Sequence, residues 1–230
     1  MAYTEVFYPK LPMEGCADRI QDVIVRSGFS NGQVSERYRL ETPGGSVLVL
    51  VLVKYLHRTG SEMVVTAVLD GTYVTQLRTG AASGAAFDVL AKKDCRIGAL
   101  IGTGGQAPTQ LEAMMAARKL EEVRVYDLNL ERTKEFAARM QEELKDYGTR
   151  IVAVESSDAA IDDADLIITV TPSSKPVFDG TKVKAGATIS CVGAYQHHMQ
   201  EMDPAILPRA SKIYFDSEDA VLSESGDILI

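Results

Sequence analysis

Between residues 94 and 216 the chain alternates short β-branched, apolar runs with longer stretches whose apolar positions recur every three or four residues. That alternation predicts a parallel sheet with helices on both faces, because each parallel strand needs a crossover before its neighbour. Strands are expected at 96–101, 123–127, 150–154, 165–170, 187–192 and 212–216. Two long helices fit at 107–119 and 130–147. Leu111, Met114 and Met115 mark the buried stripe of the first, and Phe136, Met140 and Leu144 that of the second. Upstream the pattern changes. Residues 73–90 read as a helix dense in small side chains, from Gly80 through Ala86, a face suited to close backbone packing. Earlier still, the β-branched run 47–53, a turn at 58–61 and a second run at 63–69 predict a hairpin.

The first strand of the alternating region runs into Ile101-Gly102-Thr103-Gly104-Gly105-Gln106-Ala107, the G-x-G-x-x-A form of a phosphate-binding turn. Gly102 permits the tight turn, Gly104 lets the backbone approach a pyrophosphate, and the small Ala107 lets helix pack on strand. The N–H groups around Gly105 and Gln106 would face the phosphates at the positive end of the helix. A plain structural turn uses the same residues, but here the context is right on both sides. The second strand ends in Asp127, followed by Leu128, where a carboxylate can accept both hydroxyls of an adenosine ribose. A 2′-phosphate beside Asp127 would meet like charge, so NAD(H) is the expected cofactor; Arg132, five residues on, is the feature that would suit NADP(H). The fold class is therefore α/β. A Rossmann doubly wound parallel sheet is expected at 92–216, with a smaller α+β substrate and dimerisation module at 1–91 and a return segment toward that module at 217–230.

With 230 residues and 46% apolar side chains the chain can bury real cores. Its net charge of -8 comes without a polybasic run, which argues against nucleic acid as a partner. Cys16, Cys95 and Cys191 are widely spaced and form no metal or redox motif, so no metal is expected and a reducing, cytoplasmic setting is. The longest apolar run, 47–53, is too short to span a bilayer, and no leader pattern opens the chain. The first module looks incompletely covered, which predicts a homo-oligomer, most simply a dimer.

Two stretches together, Asp70-Gly71-Thr72-Tyr73-Val74-Thr75-Gln76-Leu77-Arg78-Thr79-Gly80 and the glycine turn, resemble the ornithine cyclodeaminase and mu-crystallin family. Thr169-Val170-Thr171-Pro172-Ser173, Cys191-Val192-Gly193-Ala194-Tyr195 and Met199-Gln200-Glu201-Met202-Asp203 carry the likeness further, over about residues 60–227. The resemblance implies that Arg78 grips a substrate carboxylate, as a guanidinium fork is shaped to do. It implies a second such role for Arg39, with Arg37 as the alternative. Thr171, Pro172 and Ser173 after the fourth strand, with Val192 and Gly193 after the fifth, would line the nicotinamide side.

The sequence also departs from that family. The stretch expected to carry a catalytic lysine is missing, and Lys54 does not match its setting. Where cyclodeaminases have an aspartate, this chain has Ala194-Tyr195, leaving Tyr195 as the candidate proton donor, with His197 and His198 close behind. The chain also stops soon after Ser225-Gly226-Asp227. The implied activity is an NAD(H)-dependent reaction of a small amino or imino acid through an imine, either cyclodeamination of ornithine or the work of an amino-acid dehydrogenase or ketimine reductase. The alternative is a catalytically impaired NAD(H)-binding protein of the mu-crystallin type. A short-chain oxidoreductase with a Tyr-x-x-x-Lys pair is set aside, since no such pair follows the fourth strand.

Overall fold

The computed structural model describes residues 35–42, 45–53 and 65–229. The chain divides into two compact units, Met1–Val74 and Thr75–Ile230. In the first, β1 (Ser35–Thr42), β2 (Gly45–Val53) and β3 (Val65–Asp70) form an antiparallel sheet in chain order. The expected hairpin is β2 and β3, its turn falling outside the described residues. Strand β1 was not anticipated, and it carries Arg37 opposite Leu50 and Arg39 opposite Leu48.

The second unit is built on β4 (Ile97–Ile101), β5 (Glu122–Tyr126), β6 (Arg150–Ala153), β7 (Leu166–Thr169) and β8 (Thr188–Cys191), all parallel in the order β6-β5-β4-β7-β8. Its long helices are α1 (Gly71–Leu90), in this unit from Thr75 onward, α2 (Ala107–Ala117) and α3 (Leu130–Glu143). Short helices α4 (Ser157–Ile161) and α5 (Glu218–Glu224) complete it. The period-2 pleat splits each central strand between two cores. Leu100, Leu166 and Ile168 join Leu111, Met114, Phe136 and Met140, while Ala99, Ile101 and Ile167 join Ile161, Phe178, Val183 and Ile206. Burial on both faces explains why β7 opens with three consecutive apolar residues, Leu166-Ile167-Ile168, rather than alternating.

The small face of α1 lies against α2. A Cβ on Gly80 would stand 2.6 Å from the carbonyl oxygen of Thr109, and one on Gly84 would stand 3.2 Å from Cβ of Ala113. The guanidinium of Arg118, just past α2, fastens the far end of α1. It donates to the carbonyls of Phe87, Asp88, Ala91 and Lys92 and to the Asp88 carboxylate. The expected domain boundary at residue 91 falls after this helix.

One expected strand does not form. Among the described residues, 212–216 pair with no strand, and Ile213 and Tyr214 are 51% and 58% exposed. High β propensity makes a strand only where a neighbouring edge and a covering layer accept it, and here the four-residue β8 remains the sheet's edge. Within the second unit, Asp227 of the segment 217–230 accepts the N–H groups of Glu201 and Met202 at 2.7 and 2.8 Å. Among the described residues no helix is long and apolar enough to cross a membrane.

Candidate functional site

Strand order reverses at β4, which has β5 on one side and β7 on the other, and open α/β sheets bind ligands at the carboxyl ends flanking such a point. The glycine turn lies there. Gly102 has φ +106°, and its N–H donates to the carbonyl of Tyr126 at 2.8 Å. A Cβ on it would stand 2.7 Å from the carbonyl oxygen of Val170, so both backbone conformation and the end of β7 require glycine. Gly104 is different. Among the described residues nothing lies within 4 Å of where its Cβ would be, leaving open space above the turn. Ala107 opens α2 fully buried, its N–H bonded to the carbonyl of Gly104. Among the described residues, the N–H groups of Gly104, Gly105 and Gln106 find no protein acceptor, so they remain available to an anion at the start of an eleven-residue helix.

The turn is tied to the end of β5. Thr103 donates both its N–H and its hydroxyl to Oδ2 of Asp127, each at 2.9 Å. Oδ1 accepts from Arg132 Nη2 at 2.5 Å and from the N–H of Asn129 at 3.3 Å. Burial pushes the Asp127 carboxyl up, but the bonds from Arg132 and Thr103 outweigh it and hold the group below the usual aspartate range. The carboxylate is therefore ionised at neutral pH. Leu128 beside it is 94% exposed.

On the other side of the switch point a buried carboxylate joins two loop starts. Thr171 donates its N–H and hydroxyl to Oε1 of Glu201 at 2.5 and 2.7 Å, while the Thr169 hydroxyl and the Gly193 N–H reach Oε2 at 2.9 and 2.6 Å. Glu201 is fully buried. Burial raises its pKa; the bonds from Thr171, Gly193 and Thr169 oppose that shift without cancelling it. No role for Glu201 was read from the sequence. The available signal was an acid between two methionines, in one of the segments carrying the family likeness.

The remaining expected residues are placed unevenly. Val192 extends the β8 ladder through its N–H to the Thr169 carbonyl, and Pro172 is exposed. The Ser173 hydroxyl closes a local turn, donating to the Lys175 carbonyl and accepting from its N–H. Tyr195 is 59% exposed, and His197 and His198 are exposed too. Arg78 is exposed on α1. Two residues before it, Gln76 accepts the Thr109 hydroxyl at its carbonyl, and its Nε2 would lie 3.6 Å from a Cβ on Gly105. The side chains of Arg37 and Arg39 and the whole of Lys54 lie outside the described residues.

A parallel sheet in this order, with an open glycine turn at its switch point and an ionised acid at the end of the next strand, defines a Rossmann-type domain of the dinucleotide-binding class. The profile of the Ornithine cyclodeaminase/mu-crystallin family matches residues 47–230, and the chain belongs to that family. A Delta(1)-pyrroline-2-carboxylate reductase of Bacillus cereus is 37% identical over 164 residues, 71% of this chain and 49% of that protein. The ketimine reductase mu-crystallin of Mus musculus is 34% identical over 164 residues, 71% of this chain and 50% of that one. The structure of Thermococcus litoralis Delta(1)-pyrroline-2-carboxylate reductase, in complex with NADH and L-proline, matches with a TM-score of 0.71 at 37% identity. It covers 80% of this chain and 55% of that one. The chain thus spans about half the length of the curated relatives it matches.

Proposed function

We propose that the chain binds NAD(H) at the β4 turn and serves the reduction of a small cyclic imino acid, or the reverse oxidation of the amino acid. The observation that carries the reading is the pairing of open space over Gly104 with an ionised Asp127 one strand away. The residues present fit the group: free N–H donors at a helix start for the pyrophosphate, and a carboxylate for the adenosine ribose. When bound, the nicotinamide supplies hydride exchange at the substrate's α-carbon. The protein's part is to orient and to exclude water. Arg78 would hold the substrate carboxylate. Thr171 and Gly193, joined through Glu201, would set the floor of the nicotinamide side. The absence of an aspartate at the Ala194-Tyr195 position favours the reductase branch over cyclodeamination.

The alternative is an NAD(H)-binding protein without turnover, favoured by one observation: Tyr195, the candidate proton donor, is mostly exposed. Two measurements test the readings. Fluorescence titration with NADH should saturate, with Asp127→Ala weakening binding by about tenfold, the worth of one charge-assisted contact. NADH oxidation with Delta(1)-pyrroline-2-carboxylate should proceed, with Arg78→Ala raising KM. Binding without turnover of any cyclic imine or amino acid leaves the binding-protein reading. Unchanged NADH affinity in Asp127→Ala sinks the site assignment.

A further inference from the structure

A carboxylate can accept on both of its oxygens and, when ionised, donates from neither. Each oxygen of Glu201 takes one backbone N–H and one threonine hydroxyl: Thr171 supplies both on Oε1, while Gly193 and Thr169 supply them on Oε2. The group is thus a staple between the loop starts that follow β7 and β8. Its own backbone is fixed from two sides, the N–H donating to Asp227 at 2.7 Å and the carbonyl accepting the Val177 N–H at 2.9 Å. Both loop starts are fitted to the carboxylate. A Cβ on Gly193 would stand 2.7 Å from it and would collide with the Thr171 carbonyl. Thr171 turns its hydroxyl to Glu201 and its methyl to the glycine turn, where Cγ2 would stand 2.9 Å from a Cβ on Gly102.

We infer that Glu201 is a positioning residue for the nicotinamide end of the cofactor: by accepting from two backbones at once it fixes the gap between the Thr171 and Gly193 loop starts, while the adenosine end is left to Asp127. The position needs a carboxylate for a chemical reason. A threonine hydroxyl can rotate from donor to acceptor, but a backbone N–H cannot. An amide of the same shape keeps one accepting oxygen and sets an NH2 group against the other backbone N–H, so one loop start is pushed away. On the far side of the switch point, Asp127 is bonded to the turn through Thr103 and shares no donor with Glu201 among the described residues. Disturbing one carboxylate therefore leaves the bonds of the other in place. The inference rests on the nucleotide-binding reading above and adds the residue that shapes the reacting end of that site.

The test compares NADH with ADP-ribose, which carries the adenosine and pyrophosphate but lacks the nicotinamide ring, by equilibrium titration of the full chain. Wild type should bind NADH about tenfold or more tighter than ADP-ribose, the worth of one or two hydrogen bonds at the ring. Glu201→Gln should bring that ratio to within about threefold while the ADP-ribose Kd stays within about twofold of wild type. Thr171→Val withdraws one of the four donors and keeps the side chain's shape; it should reduce the ratio in the same direction, and it decides the matter should Glu201→Gln not fold. Equal weakening of NADH and ADP-ribose, the mark of a merely structural role, overturns the inference, as does an unchanged ratio in a folded variant. Wild-type binding of both ligands with equal affinity overturns it too and leaves the nucleotide site intact. Binding of neither ligand overturns both readings.

Discussion

At the scale of single residues, two glycines of one motif have different duties. Gly102 is required by the fold, since its φ of +106° and the carbonyl of Val170 leave no place for a side chain. Gly104 is required only by what comes to the turn, since its Cβ would meet nothing. Gly102→Ala should therefore lower unfolding stability by roughly 1–3 kcal/mol, the cost of a residue held in a disfavoured backbone region. Gly104→Ala should leave the thermal midpoint of the nucleotide-free chain unchanged and weaken NADH by about tenfold or more, because a methyl then stands where the pyrophosphate approaches. Differential scanning fluorimetry beside fluorescence titration separates the two, and equal destabilisation by both substitutions would remove the distinction. The motif told us that the glycines matter. Which of them serves the chain and which its ligand was decided by Val170, far along the chain.

Among the elements, the starts of the two long helices at 107 and 130 and their buried stripes follow directly from local pattern, but their ends do not: the helices expected to reach 119 and 147 stop at Ala117 and Glu143. Met114, Met115, Phe136 and Met140 are buried as their spacing requires, and Leu144 packs partly buried beside them. The fastening of α1 was not legible in this way. Arg118 reads as an ordinary basic residue at a helix end, yet its side chain is 3% exposed and satisfies the carbonyls that close α1. Arg118→Ala should cost about 2–4 kcal/mol, because it strands several buried acceptors together, each worth about 1–3 kcal/mol when left unmade. Urea unfolding checks this, and a loss below about 1 kcal/mol would mean that water replaces the guanidinium. The false strand at 212–216 is the converse case. Its side chains have the right propensity, but a ladder depends on an edge that local sequence does not describe.

For the whole molecule, Glu201 and Asp227 join the ends of β7 and β8 to the last residues of the chain. Glu201 gives this junction a pH dependence. Its pKa in the folded chain lies above its ordinary value of 4.5, so between those two points the folded chain keeps a proton that the unfolded chain has released. Stability from this group is complete below the ordinary value and falls as pH rises through the folded one. Wild-type stability relative to Glu201→Gln should decline over that interval and then level off, as read from denaturant unfolding at stepped pH. A difference that rises with pH would reverse the assignment.

The sequence by itself determined the α/β class, the places of five parallel strands together with a sixth that does not form, the glycine turn, the acid at the end of β5 and the family. These depend on short-range spacing, because a strand, a turn and a helix start are encoded within about a dozen neighbouring residues. Only the tertiary structure decided that Glu201 is a buried junction, that Arg118 holds α1, that Arg132 occupies Asp127, and that residues 212–216 stay out of the sheet. Each of those outcomes is set by partners distant in the chain or by side-chain rotamers. A charged residue's spacing along the chain does not reveal whether water or a folded neighbour receives it.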